Sequence, residues 1–324
     1  MITKTMTALP ADASLPEKIE WLEDRYVRLD RDDALIARLG RLFKTDKEGQ
    51  LTPKPKIDRL NGETRGLMLI GESGAGKSSL LRRTLRTVPM IHLADRENDG
   101  NTFYVTVPPE ATIKSFASRI AKKLGYLDMN SRANADQAWD VARHRMRERG
   151  VRLLVIDEAH HLLRKGSGRD VEGAIQRLKS LLQGDWPVAV IAAGVDKLRQ
   201  GVMTDPETDR RFPRFQLTRI AEGSKEARTF ARSMQLCAEK VGLSLDGEAM
   251  PDRVLFAENG EPGRAIHLAK TILVAALEEG RSKVTLRDAG HVFSREYGAM
   301  QTTPFAEAPW DTVRVSLTEA GWSR

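Results

Sequence analysis

Apolar residues recur along this chain with two different periods, and the change between them divides it. Over residues 15–43 the period is helical: Leu35, Leu39 and Leu42 share one face, and Ile36 and Phe43 lie two turns apart. Thr52-Pro53-Lys54-Pro55-Lys56 then breaks the helix, since proline fixes φ and has no amide donor, and reads as a linker or extended arm. The first dozen residues carry no period and read as disordered. From residue 65, short apolar runs alternate with amphipathic stretches. Leu67-Met68-Leu69-Ile70, Thr102-Phe103-Tyr104-Val105-Thr106-Val107, Val151-Arg152-Leu153-Leu154-Val155-Ile156 and Val188-Ala189-Val190-Ile191-Ala192-Ala193 read as strands, the second stopped by Pro108-Pro109. Residues 112–124, 136–149 and 171–183 read as helices between them. Repeated βα units predict a parallel sheet covered by helices.

After residue 218 the strands are expected to stop. Residues 224–241, 264–279 and a segment entered through Thr285-Leu286-Arg287-Asp288 read as helices, the last opened by a capping-box signature. Ala265, Leu268, Ala269, Ile272 and Ala276 recur on one face of the middle one. Beyond Tyr297 the chain turns Pro- and Thr-rich, carries Trp310 and Trp322, and reads as an extended tail. Four pieces are expected: an N-terminal tail and helical extension (1–60), an α/β domain (61–218), a helical domain (219–296) and the tail (297–324).

Composition narrows the class only a little. With 324 residues, 40% hydrophobic and 30% charged, the chain is long enough for two compact units. No apolar run approaches the ~20 residues needed to span a bilayer, and the N-terminus lacks the apolar core of a secretory signal. The one cysteine, Cys237, excludes an internal disulfide framework, suits a reducing cytoplasm and reads as a buried small hydrophobe. The net charge of +7 favours a polyanionic partner, nucleic acid being the commonest.

Chemistry enters at residues 71–78. Gly71, Glu72, Ser73, Gly74, Ala75, Gly76, Lys77 and Ser78 fit the P-loop pattern G-x-x-x-x-G-K-[ST], between a strand and a helix start at Ser78-Ser79-Leu80-Leu81-Arg82-Arg83. Gly74 and Gly76 let the backbone turn its N–H groups onto phosphate oxygens, and the helix N-terminus adds positive potential. Residues 71–79, Ser79 included, are the expected cradle for ATP. Lys77 would reach the β- and γ-phosphates, and Ser78 would hold Mg²⁺. Some 80 residues on, Asp157 and Glu158 end an apolar strand, which in a parallel sheet puts both carboxylates at the carboxyl edge where ligands gather. Asp157 is the expected Mg²⁺ partner, and Glu158 the group that activates the attacking water.

Phosphoryl transfer also needs positive charge near the γ-phosphate. Arg210-Arg211-Phe212, after an acidic loop at residues 204–209, and Arg264, opening a helix after Gly260-Glu261-Pro262-Gly263, are the candidates. Asp157-Glu158-Ala159-His160 also spells a helicase box, but a helicase would need a second α/β domain where only helices are expected. His160 and His161 are adjacent rather than four apart, so they do not form a zinc-protease motif and read as packing or interface residues.

Together the P-loop, the Asp-Glu strand end, the Arg-Phe box and the arginine of a helical lid resemble AAA+ ATPases. Residues 156–217 resemble more narrowly the TniB/TnsC group of transposition ATPases, and MuB-like target-selection regulators more distantly. Asp-Glu-Ala-His-His-Leu-Leu, the helix Ile175-Gln176-Arg177-Leu178-Lys179-Ser180-Leu181-Leu182, Val-Ala-Val-Ile-Ala-Ala-Gly and Thr-Asp-Pro-Glu-Thr-Asp-Arg-Arg-Phe carry that likeness. The resemblance implies an α/β AAA+ fold, its parallel sheet sandwiched by helices, with a small helical lid. It also implies an ATPase that assembles head to tail on double-stranded DNA without reading its sequence and brings target information to a transposase. TniA/TnsB-like transposases and TniQ-like target selectors are the implied protein partners. Lys77, Ser78, Asp157 and Glu158 take the nucleotide and Mg²⁺ roles, Arg211 or its neighbour Arg210 the finger that reaches the next subunit's ATP, and Arg264 the lid arginine. One position departs from the family: Gly194 is followed by Val195 and Asp196, where a polar residue usually senses the γ-phosphate, so slow hydrolysis is expected.

A head-to-tail assembly, closed ring or helical filament, repeats a few cations along a duplex backbone. Lys114, Arg119, Lys122 and Lys123 on one helix, and Arg164, Lys165 and Arg169 in a Gly-rich loop, are the DNA candidates. In the tail, Pro304, Phe305, Pro309 and Trp310 either dock on a transposase or pack back on the lid. Two other functions remain open: a nucleotide-gated DNA scaffold with negligible turnover, and an AAA+ ATPase of another system, such as a helicase loader or a secretion-linked ATPase.

Overall fold

The computed structural model describes residues 9–130, 132–163 and 168–322, and of residues 168–170 the backbone alone. Arg164 and Lys165, and most of the segment expected to be disordered, lie outside the described residues. Residues 10–13 form a turn that leads into the first helix, α1 (Leu15–Glu23). Its start follows from Ser14 and Glu17: the Glu17 carboxylate accepts from both the Ser14 amide (2.8 Å) and the Ser14 hydroxyl (2.6 Å).

The single helix expected over residues 15–43 is two, α1 and α2 (Asp30–Leu42). The reason is burial: Leu22 and Leu29 belong to the apolar core of a helical unit, whereas from Arg31 the chain belongs to an α/β unit. The expected linker at residues 52–56 is also corrected. β1 (Phe43–Thr45) and β2 (Leu51–Pro55) form an antiparallel hairpin whose turn Asp46 closes by accepting from the amides of Glu48 and Gln50. Two prolines are tolerated there because a two-stranded ribbon is all edge.

The α/β unit spans Arg31–Ser73 and Lys77–Leu217. In chain order it continues through β3 (Gly66–Ile70), α3 (Lys77–Thr87), β4 (Thr102–Thr106), α4 (Ile113–Lys123), α5 (Ala135–Glu148) and β5 (Leu153–Asp157). A 3₁₀ turn (Ala159–Leu163) follows, then α6 (Gly168–Leu181), β6 (Ala189–Gly194), α7 (Asp196–Val202), α8 (Pro206–Arg211) and β7 (Arg214–Gln216). All five sheet strands are parallel, in the order β4-β5-β6-β3-β7. β3, β5 and β6 are buried along their whole length, so both faces are covered and their sequences read as continuous apolar runs. The acidic loop expected before Arg210 is largely α8, opened by Asp205 as N-cap.

The helical unit comprises the described part of Met1–Asp30, Gly74–Gly76 and Thr218–Arg324. Residues 1–60 are therefore not one piece: they divide between the two units at Asp30. After α1 the helical unit contains α9 (Lys225–Lys240), β8 (Ser244–Asp246), α10 (Met250–Ala257), α11 (Pro262–Glu278), β9 (Lys283–Thr285), α12 (Leu286–Tyr297) and α13 (Trp310–Glu319). β8 and β9 form a short parallel pair, so strands do not stop at residue 218; three residues each are too few to show a period.

The tail is a further correction. It is not extended: α13 buries Trp310, Val313 and Leu317, and Phe305 lies in the unit's main core. Arg253 explains this. Its fully buried guanidinium donates to the carbonyls of Pro304 (2.7 Å), Ala306 (3.1 Å) and Ala308 (2.7 Å), and its Nε to Glu248 O (2.8 Å). Among the described residues no helix is long and apolar enough to cross a membrane.

Candidate functional site

In the α/β unit, the sheet brings the predicted groups to the carboxyl ends of adjacent strands. β3 pairs with β6 through Ile70 and Gly194, and the Gly71 amide donates to Gly194 O (3.2 Å). Lys77, at the first turn of α3, is buried, and its ammonium donates to the carbonyls of Gly71 and Glu72, both at 2.9 Å. Gly74 (φ 88°) and Gly76 (φ 82°) hold the left-handed backbone that the loop requires.

Asp157 ends β5 with 1% exposure. Its Oδ1 accepts the Glu158 amide (3.0 Å) and its Oδ2 accepts the hydroxyl of Tyr104, on neighbouring β4, at 2.6 Å. Burial, and then that bond to Asp157, push the Tyr104 phenol above its usual range, so it stays a donor. Tyr104 was not foreseen as a site residue. Its signal was a polar-tipped aromatic in an apolar strand, but its partner lies 53 positions away. Ser78 and Asp157 are hard-oxygen donors of the kind that suits Mg²⁺.

Glu158 adopts φ 56°, a left-handed conformation that costs a non-glycine residue about 1–3 kcal/mol. Its Oε2 lies 3.3 Å from Nδ1 of His160, which is buried on the 3₁₀ turn and packs against Gly194. At the end of β6, Val195 is the N-cap of α7 with no side-chain cap bond, and Asp196 is engaged by Arg199 at 2.5 and 3.0 Å.

Arg211 and Arg210 are the two candidates for the finger. Within this chain Arg211 is committed to Glu63, its Nε to Oε2 at 2.6 Å and its Nη2 to Oε1 at 2.9 Å, and it also donates to Glu207 O (3.0 Å). Both side chains are 12% exposed, and the Arg211 bond holds the Glu63 carboxyl below its ordinary range. Arg210, next to it, is exposed. Phe212 anchors the box: it is buried, and its ring lies where a β-carbon on Gly66 would sit.

The tip of the P-loop belongs to the helical unit. There the Gly263 amide donates to Gly74 O (2.8 Å), and the Arg264 stem fills the space a β-carbon on Gly74 would need, 2.5 Å from it. The Arg264 Nε lies 3.7 Å from the carboxylate of fully buried Glu258. Burial, and then Glu258, push the Tyr297 phenol up to about 12.

Among the DNA candidates, Arg119, Lys122 and Lys123 are exposed at the end of α4, and Lys114 is half-buried. Burial, and then the charge of Arg119, pull the Lys123 ammonium down. Arg169 lies in α6, and its side chain is outside the described residues.

Residues 18–222, from α1 through β7, match the family described as "TniB: Bacterial TniB protein". The chain belongs to the TniB family. No curated protein matches it. Its fold is similar to that of the Aeropyrum pernix ORC1 protein, solved in complex with DNA, at 16% identity and a TM-score of 0.57 over 90% of this chain and 69% of that one. It is also similar to Cdc6p from Pyrobaculum aerophilum (17%, TM-score 0.58, 85% and 70%) and to a Walker-type ATPase of Pyrococcus abyssi (15%, TM-score 0.54, 92% and 76%). These likenesses give the TniB-family chain the P-loop AAA+ fold.

Proposed function

We propose that this chain is an ATP-hydrolysing AAA+ protein that assembles on double-stranded DNA and regulates transposition. The observation that carries the proposal is the family match, which spans the P-loop, Asp157-Glu158 and Arg210 together. Bound ATP would lie along residues 71–79, with Lys77 turning its ammonium from the loop carbonyls to the phosphates. Mg²⁺, held by Ser78 and Asp157, would supply charge neutralisation for the phosphoryl group. Glu158 would accept the proton of the attacking water, its carboxylate aimed by the left-handed backbone and the His160 contact. Arg210, being exposed, is the finger we assign for the next subunit's nucleotide; Arg264 serves as the lid arginine. Arg119, Lys122 and Lys123 would track the duplex backbone without reading bases. The natural partners are then a TniA/TnsB-like transposase and a TniQ-like selector. With Phe305 and Trp310 buried, a transposase would need other residues of the tail region to dock.

The absence of a polar group on Val195 favours a second reading, a nucleotide-gated scaffold that hardly turns over. Sedimentation with a random duplex, with and without a non-hydrolysable ATP analogue, tests the assembly: large complexes are expected only with both ligands. A monomer indifferent to DNA would overturn it. Glu158→Gln separates the readings, since an ATPase loses turnover and keeps longer-lived DNA complexes, whereas a scaffold is unchanged.

A further inference from the structure

The 3₁₀ turn after β5 places two imidazoles against the carboxylate of Glu158. One donor atom from each of Glu158, His160 and His161 lies within 4.8 Å of the other two. The His160 and His161 rings are 4.2 Å apart, centroid to centroid. Spacing four apart is the rule for two histidines that share a metal on an α-helix, and adjacent histidines on such a helix point apart. A 3₁₀ turn changes the geometry, because residues three apart eclipse one another. The His161 amide closes this turn on Glu158 O at 3.0 Å, bringing residues 158 and 161 to the same side.

We propose that Glu158, His160 and His161 form a site for a borderline divalent metal ion of the Zn²⁺ class, and that its occupation switches the ATPase off. The inhibitory part rests on the ATPase reading; the binding part does not. Zn²⁺ takes imidazole nitrogen and carboxylate oxygen at about 2.0–2.1 Å in a tetrahedron, whose ligand-to-ligand edge is then about 3.3 Å. The His160 Nδ1 to Glu158 Oε2 separation is 3.3 Å, so two of the ligands already stand at that edge. His161, only half-buried, closes the remaining gap by side-chain rotation. Three protein ligands leave the fourth position to water.

The set discriminates between metals. Mg²⁺ prefers hard oxygens and would stay with Ser78 and Asp157, while imidazoles select Zn²⁺, Ni²⁺ or Cu²⁺. A divalent cation on the Glu158 carboxylate withdraws its charge and makes it too weak a base to take a proton from water. Hydrolysis stops, and ATP binding through Lys77 continues.

The test uses the full, untagged chain. Without nucleotide, Co²⁺ titration should give the visible absorption of a tetrahedral centre at one ion per chain, displaced by Zn²⁺. His161→Asn should weaken that binding about 100-fold, on the scale of a lost ligand. With saturating Mg²⁺ and ATP, micromolar Zn²⁺ should abolish turnover of the natural chain and spare His161→Asn, whose basal rate is unchanged. No Co²⁺ spectrum, or one that His161→Asn leaves intact, overturns the site. Turnover unaffected by Zn²⁺ at saturating occupancy overturns the switch. A chain that binds Co²⁺ as expected yet never hydrolyses ATP supports the site and overturns the ATPase reading instead.

Discussion

Lys77 and Asp157 in the α/β unit and Arg253 in the helical unit are buried charges held in opposite ways. In the α/β unit two of the buried ionisable groups, Lys77 and Asp157, stand at the carboxyl edge of the sheet, Lys77 held by two loop carbonyls and Asp157 by one hydroxyl and one amide. In the helical unit, Arg253 lies in the interior and binds four backbone carbonyls, three of them in the segment before α13. The first arrangement leaves charge available to a ligand; the second spends it on holding the chain. A buried charge therefore marks function only where the fold exposes it to a cleft or edge, and marks architecture where the backbone saturates it.

Removing each charge should separate the two roles. Arg253→Ala leaves those carbonyls without their donor and should cost about 3–5 kcal/mol, read as a lower melting temperature and faster proteolysis around residues 298–309. Unchanged stability would make the arginine incidental. Lys77→Ala should behave in the opposite way, keeping the melting temperature while ATP affinity drops about 100-fold, or roughly 3 kcal/mol, in a calorimetric titration. Retained affinity would remove the P-loop reading.

Smaller effects sharpen the contrast. Gly74→Ala combines a left-handed φ with the Arg264 stem at 2.5 Å, and should cost about 1–3 kcal/mol in nucleotide affinity. Arg211→Ala should destabilise the chain by about 1–3 kcal/mol by leaving Glu63 with the Gln183 amide alone, whereas Arg210→Ala should stay within about 0.5 kcal/mol and instead lose DNA-stimulated hydrolysis. If both variants hydrolyse normally, the finger lies elsewhere. The Glu63–Arg211 pair adds a pH signature. Because Arg211 holds the folded-state Glu63 pKa below its unfolded value, its contribution is present at neutral pH and lost as pH falls through the depressed value. Glu63→Gln should flatten that acid limb in a series of thermal melts.

Four of the five sheet strands and the P-loop pattern were legible because their signals are local. Leu67-Met68-Leu69-Ile70 and Leu153-Leu154-Val155-Ile156 are buried on both faces and so carry continuous apolar runs, and the glycine spacing of the P-loop answers to backbone conformation alone. β7, β8, β9 and α10 were missed, three of them strands of only three residues whose stability comes from neighbours, not period. The tail misled for a related reason: prolines and threonines before Trp310 predicted an extended arm, while the residue that folds it back, Arg253, lies about 50 positions upstream.

By itself, then, the sequence determined the α/β class, the P-loop pattern and the carboxylate pair at a strand end, which depend on neighbours within about ten residues, and the family resemblance, which runs over residues 156–217. Tertiary structure alone decided that Tyr104 holds Asp157, that Glu63 occupies Arg211 and leaves Arg210 exposed, and that a 3₁₀ turn gathers His160 and His161 at Glu158. The first two pairings join residues 53 and 148 positions apart. The third depends on a left-handed φ at a glutamate, a conformation that no local preference predicts.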